Sequence, residues 1–262
     1  MSPAGFYKWR ERGESDRDKA NRTLAGKIES LFFAHETNYG SPRIHAALRT
    51  DGVMVNRKRV ERIMRDAGLV GKAGRIYRRK AAPEKFYTKM PNLKKDLQPP
   101  SGPDQQWVGD LTYIKVSGEW RYLATVMDLY SRRILGWELG DQKTANLTRA
   151  ALRKAASHRA VNPGLIFHTD RGSEYGAYLM QDELSRMGIR PSMNRPGCVT
   201  DNAHMESFFR SMKTECIHGV AFESERDLRK RLSWYLDYYY NHQRIHSSIG
   251  YQSPVLYEKL AA

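Results

Sequence analysis

Cysteine is nearly absent from this chain: only Cys198 and Cys216 occur among 262 residues, with no C-x-x-C pair. A disulfide framework or a zinc module is therefore not expected, and a reducing compartment fits. Long apolar runs are missing too. None approaches the ~18 residues of a membrane span, and the opening Met-Ser-Pro-Ala-Gly-Phe-Tyr-Lys-Trp-Arg lacks a signal peptide's apolar core. The expectation is a soluble, cytoplasmic protein with no membrane partner. Acidic residues are in deficit as well, giving a formal net charge of +15. Residues 1–106 carry 23 Lys and Arg against 12 Asp and Glu, whereas residues 107–262 carry 21 against 17. A basic N-terminal part on a near-balanced remainder points to a polyanion, with nucleic acid first.

The length allows one good core and a smaller satellite domain. Residues 1–17 read as a basic N-terminal segment with little to bury. A helix is expected from about Asp18 to His35, with Leu24, Ile28, Leu31 and Phe32 on its apolar face. Ser41-Pro42 reads as an N-cap followed by proline at the first helical position, starting a helix through Leu48 that Gly52 ends. Asn56 caps a third helix carrying Val60, Ile63 and Met64, closed by Gly68. This last helix bears Arg57, Lys58, Arg59, Arg62 and Arg65. Residues 18–70 thus look like a small all-α helix-turn-helix domain whose basic helix meets DNA. The plainer alternative is a helical bundle with a solvated charged face.

Residues 71–105 read as a basic, Pro-rich linker, with nine Lys or Arg through Gln106 against Glu84, Asp96 and Asp104. Such a segment would run extended along a phosphate backbone. Residues 106–262 then form the main domain. Gln106–Ile114, Tyr122–Leu129 and Ile134–Leu139 read as strands, with a turn at Ser117-Gly118. A helix from Thr144 to about Ser157 follows, then the apolar run Leu165-Ile166-Phe167 delivering Asp170. A helix from about Tyr175 to Met187, a strand over Ile189–Met193, the helix around Glu206 and a long helix over Asp227–Tyr240 complete the order. The order βββ-α-β-α-β-α predicts an α/β fold, a mixed sheet flanked by helices.

Three carboxylates organise that domain. Asp170 stands at a strand end, and Glu206 lies on a helix whose apolar face is Met205, Phe208, Phe209 and Met212. Two like charges facing inward repel, and a divalent metal is the commonest reason to hold them together. Asp110, mid-strand among Trp107, Val108, Leu111 and Ile114, supplies the third; a buried Asp tied to a backbone amide is the alternative. Hard oxygen ligands suit Mg²⁺, with Mn²⁺ as a substitute, and two ions can stabilise both oxygens of an in-line phosphoryl displacement. On the polar side of the Glu206 helix, Lys213, Arg210 and Asn202 are candidates for DNA contact. Asp128 is read as organising the Arg132/Arg133 corner, Asp201 as a helix N-cap, and Tyr235, Tyr238, Tyr239 and Tyr240 as packing. His168 either tunes Asp170 or only hydrogen-bonds nearby.

These residues carry a resemblance. Trp107–Ile114, Met127-Asp128-Leu129-Tyr130-Ser131-Arg132-Arg133-Ile134-Leu135-Gly136-Trp137, His168–Tyr175, Asp201–Lys213 and the tail Tyr240–Tyr251 resemble the integrase-core DDE transposases of bacterial insertion sequences. The upstream helices are similar to those of the insertion-sequence three family, in its second-frame product. The resemblance implies a retroviral-integrase-like, RNase H-like core with Asp110, Asp170 and Glu206 as catalytic residues holding two Mg²⁺. It implies cleavage that frees a 3′-OH, and strand transfer of that 3′-OH into target DNA. It further implies a homo-oligomer on DNA, association with the bacterial nucleoid, and an upstream-frame segment supplying a further helix-turn-helix and a coiled coil. Glu174 departs from the family, which usually has Gln there, and is a possible accessory metal ligand. Two other classes stay open. His168-Thr169-Asp170-Arg171 is also an H-x-x-R, the partial mark of a tyrosine recombinase, and a non-catalytic DNA-binding regulator would share the upstream helices.

Overall fold

The computed structural model describes residues 14–72, 90–196 and 198–261. Most of the expected N-terminal segment and residues 73–89 of the expected linker lie outside the described residues. The chain divides into two compact units, Met1–Ala73 and Gly74–Ala262.

In the first unit, α1 (Asp16–Ala34), α2 (Ser41–Thr50) and α3 (Arg57–Asp66) form a three-helix module. Leu24, Ile28 and Phe32 of α1 are buried together with Tyr39, Ile44, Leu48, Val60, Ile63 and Met64. Asn56 caps α3 as expected, its Oδ1 accepting from the Lys58 backbone N–H at 2.8 Å. The cap of α2 differs by one residue. Gly40 is its N-cap and Ser41 its first helical residue. Proline is tolerated through the first turn, where its missing N–H is not needed, so the Ser-Pro signal leaves the start uncertain by a residue. Gly52 and Gly68, at φ 77° and 68°, end α2 and α3 in the left-handed conformation that glycine adopts at least cost.

The second unit is built on a five-stranded sheet in the order β3-β2-β1-β4-β5. Strands β1 (Gln106–Val116), β2 (Glu119–Asp128) and β3 (Ile134–Gly140) form an antiparallel meander. Strands β4 (Ile166–Thr169) and β5 (Arg190–Met193) add in parallel on the other side of β1. Ser117 and Gly118 both take positive φ, the tight turn whose twist matches a hairpin. On one face lie α4 (Ala145–Ser157), α5 (Ser173–Gly176) and α6 (Tyr178–Arg186), packed over Trp107, Leu135 and Phe167. On the other lie α7 (Ala203–Met212) and α8 (Glu225–Ser233), packed over Val108, Ile114 and Met127. The chain ends in α9 (Pro254–Ala261).

Three expectations are corrected by packing. The helix foreseen over Tyr175–Met187 breaks at Ala177, whose backbone is extended, after the weak helix former Gly176. The last long helix is α-helical only to Ser233 and continues as a π-helix over Trp234–Gln243. Its wider i→i+5 turns bring Tyr235, Tyr239 and Tyr240 into the core, and Asn241 exchanges two 2.9 Å hydrogen bonds with the Ile134 backbone. Tyr238, by contrast, is exposed. Finally, the end of the expected linker is folded onto the core rather than extended. Leu93 N–H donates to Ser192 Oγ at 3.0 Å, and Asn92 Nδ2 donates to Asp201 Oδ2 at 2.7 Å.

Candidate active site

The sheet brings two carboxylate-bearing segments together. Val108 of β1 is in register with His168 of β4. Asp110 and Asp170 each lie two residues further along, just past the last residues that pair the two strands. A side chain at Gly109 would collide with the Phe167 ring, so glycine is what lets β1 and β4 meet at this point. Asp170 lies one residue beyond the end of β4, and its Oδ1 accepts from the Gly172 N–H at 3.0 Å. Asp110 shares a face with Val108, Ile114 and Val116, whose core is completed by Met205, Phe208, Phe209 and Met212 of α7. The four apolar residues foreseen on the Glu206 helix are therefore all buried, and Glu206 itself is exposed in the first turn of α7. A carboxylate is favoured there by the helix dipole.

Electrostatics tie the three together. Burial pushes the Asp110 carboxyl well above the usual carboxylate range, and the negative charge of Asp170 adds to this. The 2.7 Å hydrogen bond from the Leu111 N–H opposes the rise, and Glu206 and Glu174 add smaller upward contributions. Asp110 keeps some surface open to solvent even though protein crowds its carboxyl from most sides. Among the described residues, no three His, Cys, Asp or Glu side chains stand in ready-made metal-ligand geometry. Like charges repel, so carboxylates that share a field need not touch. The donor set nonetheless fits a hard divalent cation: it is all oxygen and anionic, with three further carboxylates acting on Asp110.

Glu174 is buried and forms an ion pair with Lys143, whose Nζ lies 2.9 Å from Oε1. Burial would lower the Lys143 pKa, but the bond to Glu174 and the charges of Asp170 and Asp110 outweigh it and raise it. A resident ammonium group thus sits in the acidic cluster. Sequence reasoning missed Lys143, a lone Lys in the loop before α4, because neither motif nor periodicity marks it.

The remaining candidates fall out as follows. Asn202 is 3% exposed, and its Nδ2 donates to the Gly109 carbonyl at 3.3 Å. It is therefore no exposed phosphate contact. It fastens the start of α7 to the residue before Asp110, and among the described residues its Oδ1 has no hydrogen-bond partner. Arg210 is exposed, and Lys213 Nζ lies 4.7 Å from the Tyr113 ring centroid. On α3, Arg57 and Lys58 are exposed, while Arg59 and Arg62 are half-buried and Arg59 Nε donates to Asn21 Oδ1 at 3.0 Å. His168 bridges Ser192 and Asn194 at 2.8 Å each, with burial and then Lys94 pulling its pKa down to about 4. Asp201 is not the N-cap of α7, which is Asn202; instead it receives Arg195 Nη2 at 2.9 Å and Asn92. Asp128 accepts from the Ser131 and Asp104 N–H groups at 2.8 Å each and shapes the corner at Arg132.

The fold and the order of its two parts along the chain have counterparts among known proteins. Residues 100–198 and 187–254 match models of the integrase core domain, and residues 19–80 match an HTH-like domain. The transposase for insertion sequence element IS904 of Lactococcus lactis is 36% identical over 95% of this chain and 98% of its own. Transposase InsF for insertion sequence IS3A of Escherichia coli is 37% identical over 98% of this chain and 90% of its own. A chain in the cryo-EM structure of the simian T-cell lymphotropic virus intasome, in complex with PP2A regulatory subunit B56 gamma, superposes with a TM-score of 0.53 at 18% identity. That match covers 88% of this chain and 74% of the other, and shows a shared retroviral-integrase-like fold. The tyrosine-recombinase reading falls away, since Arg171 spends its guanidinium on the Asn194 and Met90 carbonyls. With a helix-turn-helix-like module ahead of the core and relatives matched along nearly their whole length, the chain belongs to the IS3 family of integrase-core transposases.

Proposed function

We propose that this chain cuts DNA at the ends of its insertion element and joins the freed 3′-hydroxyl to target DNA, using Asp110, Asp170 and Glu206. What supports this reading is that the charges of Asp170 and Glu206 both act on the buried Asp110 carboxyl, within residues that match the integrase core domain. These residues would hold two Mg²⁺, with Mn²⁺ as a substitute, and the bound ions would neutralise charge on the oxygens of an in-line phosphoryl displacement. In the first step a water oxygen bonds to phosphorus as the P–O3′ bond breaks. In the second, the released 3′-hydroxyl attacks a target phosphodiester in the same way. No covalent protein nucleophile is needed.

The chain's own groups position the DNA. Lys213 and Arg210, on the outer side of α7, are cations fit to hold phosphates flanking the site. Asn202 holds α7 on β1 so that Glu206 faces Asp110. Lys143, oriented by Glu174, offers an ammonium group to a phosphate oxygen, which assigns Glu174 to Lys143 rather than to a metal. Arg57 and Lys58 of α3 grip duplex DNA, with Arg59 and Arg62 behind them. The protein works as a homo-oligomer on nucleoid DNA in the bacterial cytoplasm, with an upstream-frame segment as partner.

A strand-transfer assay on pre-cleaved element ends, with and without Mg²⁺ and with and without an upstream segment, tests the proposal. Joined product that depends on Mg²⁺ and vanishes in Asp110→Asn is expected. Joined product made equally well by Asp110→Asn would overturn it, as would DNA binding with no joining under any of these conditions, which is the behaviour of a regulator.

A further inference from the structure

The far end of the β1–β2 hairpin carries an aromatic and basic cluster whose two rings the chemistry above does not use. Lys115 and Trp120 are directly opposite in the antiparallel register, as are Tyr113 and Tyr122, so Tyr113 is the diagonal neighbour of Trp120 on the same face. The Tyr113 and Trp120 rings meet edge to face, with centroids 5.0 Å apart at 88°. Both are large apolar rings in water: Tyr113 is 40% exposed and Trp120 49%. Each also has a lysine over it, Lys213 at 4.7 Å from Tyr113 and Lys115 at 5.8 Å from Trp120. The nearby carboxylates of Glu119 and Glu225 are engaged by Arg121, at 2.8 Å each. The cluster is therefore aromatic in surface and positive in charge.

Cross-strand packing and cation–π contacts account for part of this, since a diagonal aromatic pair stabilises a hairpin. They do not account for its place. The pairing of β1 with β4 stops at Val108, so beyond Gly109 that edge of β1 is open. Across it the end of α7 reaches Tyr113 through Lys213. The same strand carries Asp110 and the same helix carries Glu206. Tyr113 lies three strand residues past Asp110, ~10 Å along the strand at about 3.4 Å per residue and on the other face of the sheet, where Lys213 reaches it around the open edge. A strand passing around that edge needs at least about three nucleotide steps at ~3.4 Å each.

We propose that Tyr113 and Trp120, flanked by Lys115 and Lys213, form a stacking platform for an unpaired base of the DNA strand led into the carboxylate site. The occupant is a single-stranded DNA terminus. Every base has a π-face that an exposed ring can stack on, while the two ammonium groups suit the phosphates on either side. A paired base inside a duplex offers no free face, so the platform selects ends that have opened. This rests on the proposal that the chain acts on DNA ends, and it adds a reason for the ends to be unpaired over at least about three nucleotides from the phosphate being cut.

The test is a binding titration of the full chain in EDTA, so that catalysis plays no part. Two element-end oligonucleotides are compared, one blunt and one with its last few bases unpaired and substituted in turn by 2-aminopurine. The expected result is about 5- to 100-fold tighter binding of the opened end, with 2-aminopurine emission quenched at one or two positions. Trp120→Ala and Tyr113→Ala should each erase that preference and quenching while leaving blunt-end affinity in place. Trp120→Phe, which keeps a π-face and guards against a folding defect, should retain most of both. Equal affinity of the wild type for opened and blunt ends would overturn the platform while leaving DNA binding intact. So would a Trp120→Ala variant that weakens both ends by the same factor. Failure of the wild type to bind either oligonucleotide would remove the DNA-end reading itself, and the platform with it.

Discussion

Lys143 Nζ stands 2.9 Å from Oε1 of Glu174, a carboxylate whose side chain is 1% exposed beside Asp110 and Asp170. Removing the ammonium group leaves a buried anion among like charges. Because Lys143 is itself about half exposed, Lys143→Ala should cost about 1–3 kcal/mol, less than a wholly buried pair. Glu174→Gln should cost less, since Lys143 can turn to water, and the double variant should recover much of the loss. Urea unfolding of the four proteins in metal-free buffer measures this. The same Lys143→Ala protein should bind Mg²⁺ more tightly, read as a larger Mg²⁺-dependent rise in melting temperature, because one positive charge has left the cluster. Equal stability of Lys143→Ala and wild type would show the pair to be idle.

Glu206 is exposed on α7 while the apolar residues around it hold the helix to the sheet. Glu206→Gln keeps size and helix propensity but removes the anionic oxygen. Fold and DNA affinity should stay near wild type, and melting temperature without metal should hold or rise slightly. Cleavage and strand transfer should both fall by at least about 10²- to 10³-fold, the loss that follows removal of one preorganised charge contact. Retained strand transfer in this variant would take Glu206 out of the site.

What the sequence made legible follows from periodicity. Asp170 ends a short apolar run and Glu206 stands off a four-residue apolar face, so each could be placed on its element without coordinates. Asn202 could not. It lies one helical turn before Glu206, and only packing decides whether that position meets solvent or the Gly109 carbonyl. Asp201 looked like a cap because Asp caps helices well, yet the 3₁₀ turn over Val199–Asn202 moves the helix start past it and leaves it to Arg195 and Asn92. The π-helical stretch over Trp234–Gln243, which carries Tyr235, Tyr239 and Tyr240 into the core, is encoded by no local propensity.

Asp201 gives a pH test away from the carboxylate cluster. Hydrogen bonds from Arg195, against an opposing contribution from burial, hold its carboxyl far below the usual range, with Asn92 assisting. A depressed carboxyl stabilises the fold above its unfolded pKa of ~3.9 and loses that contribution as pH falls toward the folded value. Asp201→Asn should therefore be less stable than wild type at pH 7, by about 1–3 kcal/mol for charge-assisted bonds. The gap should hold down to about pH 4 and close only below it. Melting curves from pH 7 to about 3 give the comparison. A gap already closing near pH 6 would mean that another group carries it.

The basic helix α3 divides into two kinds of cation. Arg57 and Lys58 are exposed, whereas Arg59 is tied to Asn21 of α1 and Arg62 is half-buried beside it. Each phosphate contact removed should lower the slope of log K against log salt by ~0.9. The double variant Arg57→Ala, Lys58→Ala should thus flatten the slope by about 2 while leaving melting temperature unchanged. Arg59→Ala should act differently, lowering the stability of the helical module by about 0.5–1.5 kcal/mol through the lost bond to Asn21. Titrations of a short duplex at several salt concentrations, with parallel melting curves, separate the two effects. A slope left unchanged by the double variant would mean that α3 does not face the DNA, and that the charge of the N-terminal part serves another surface.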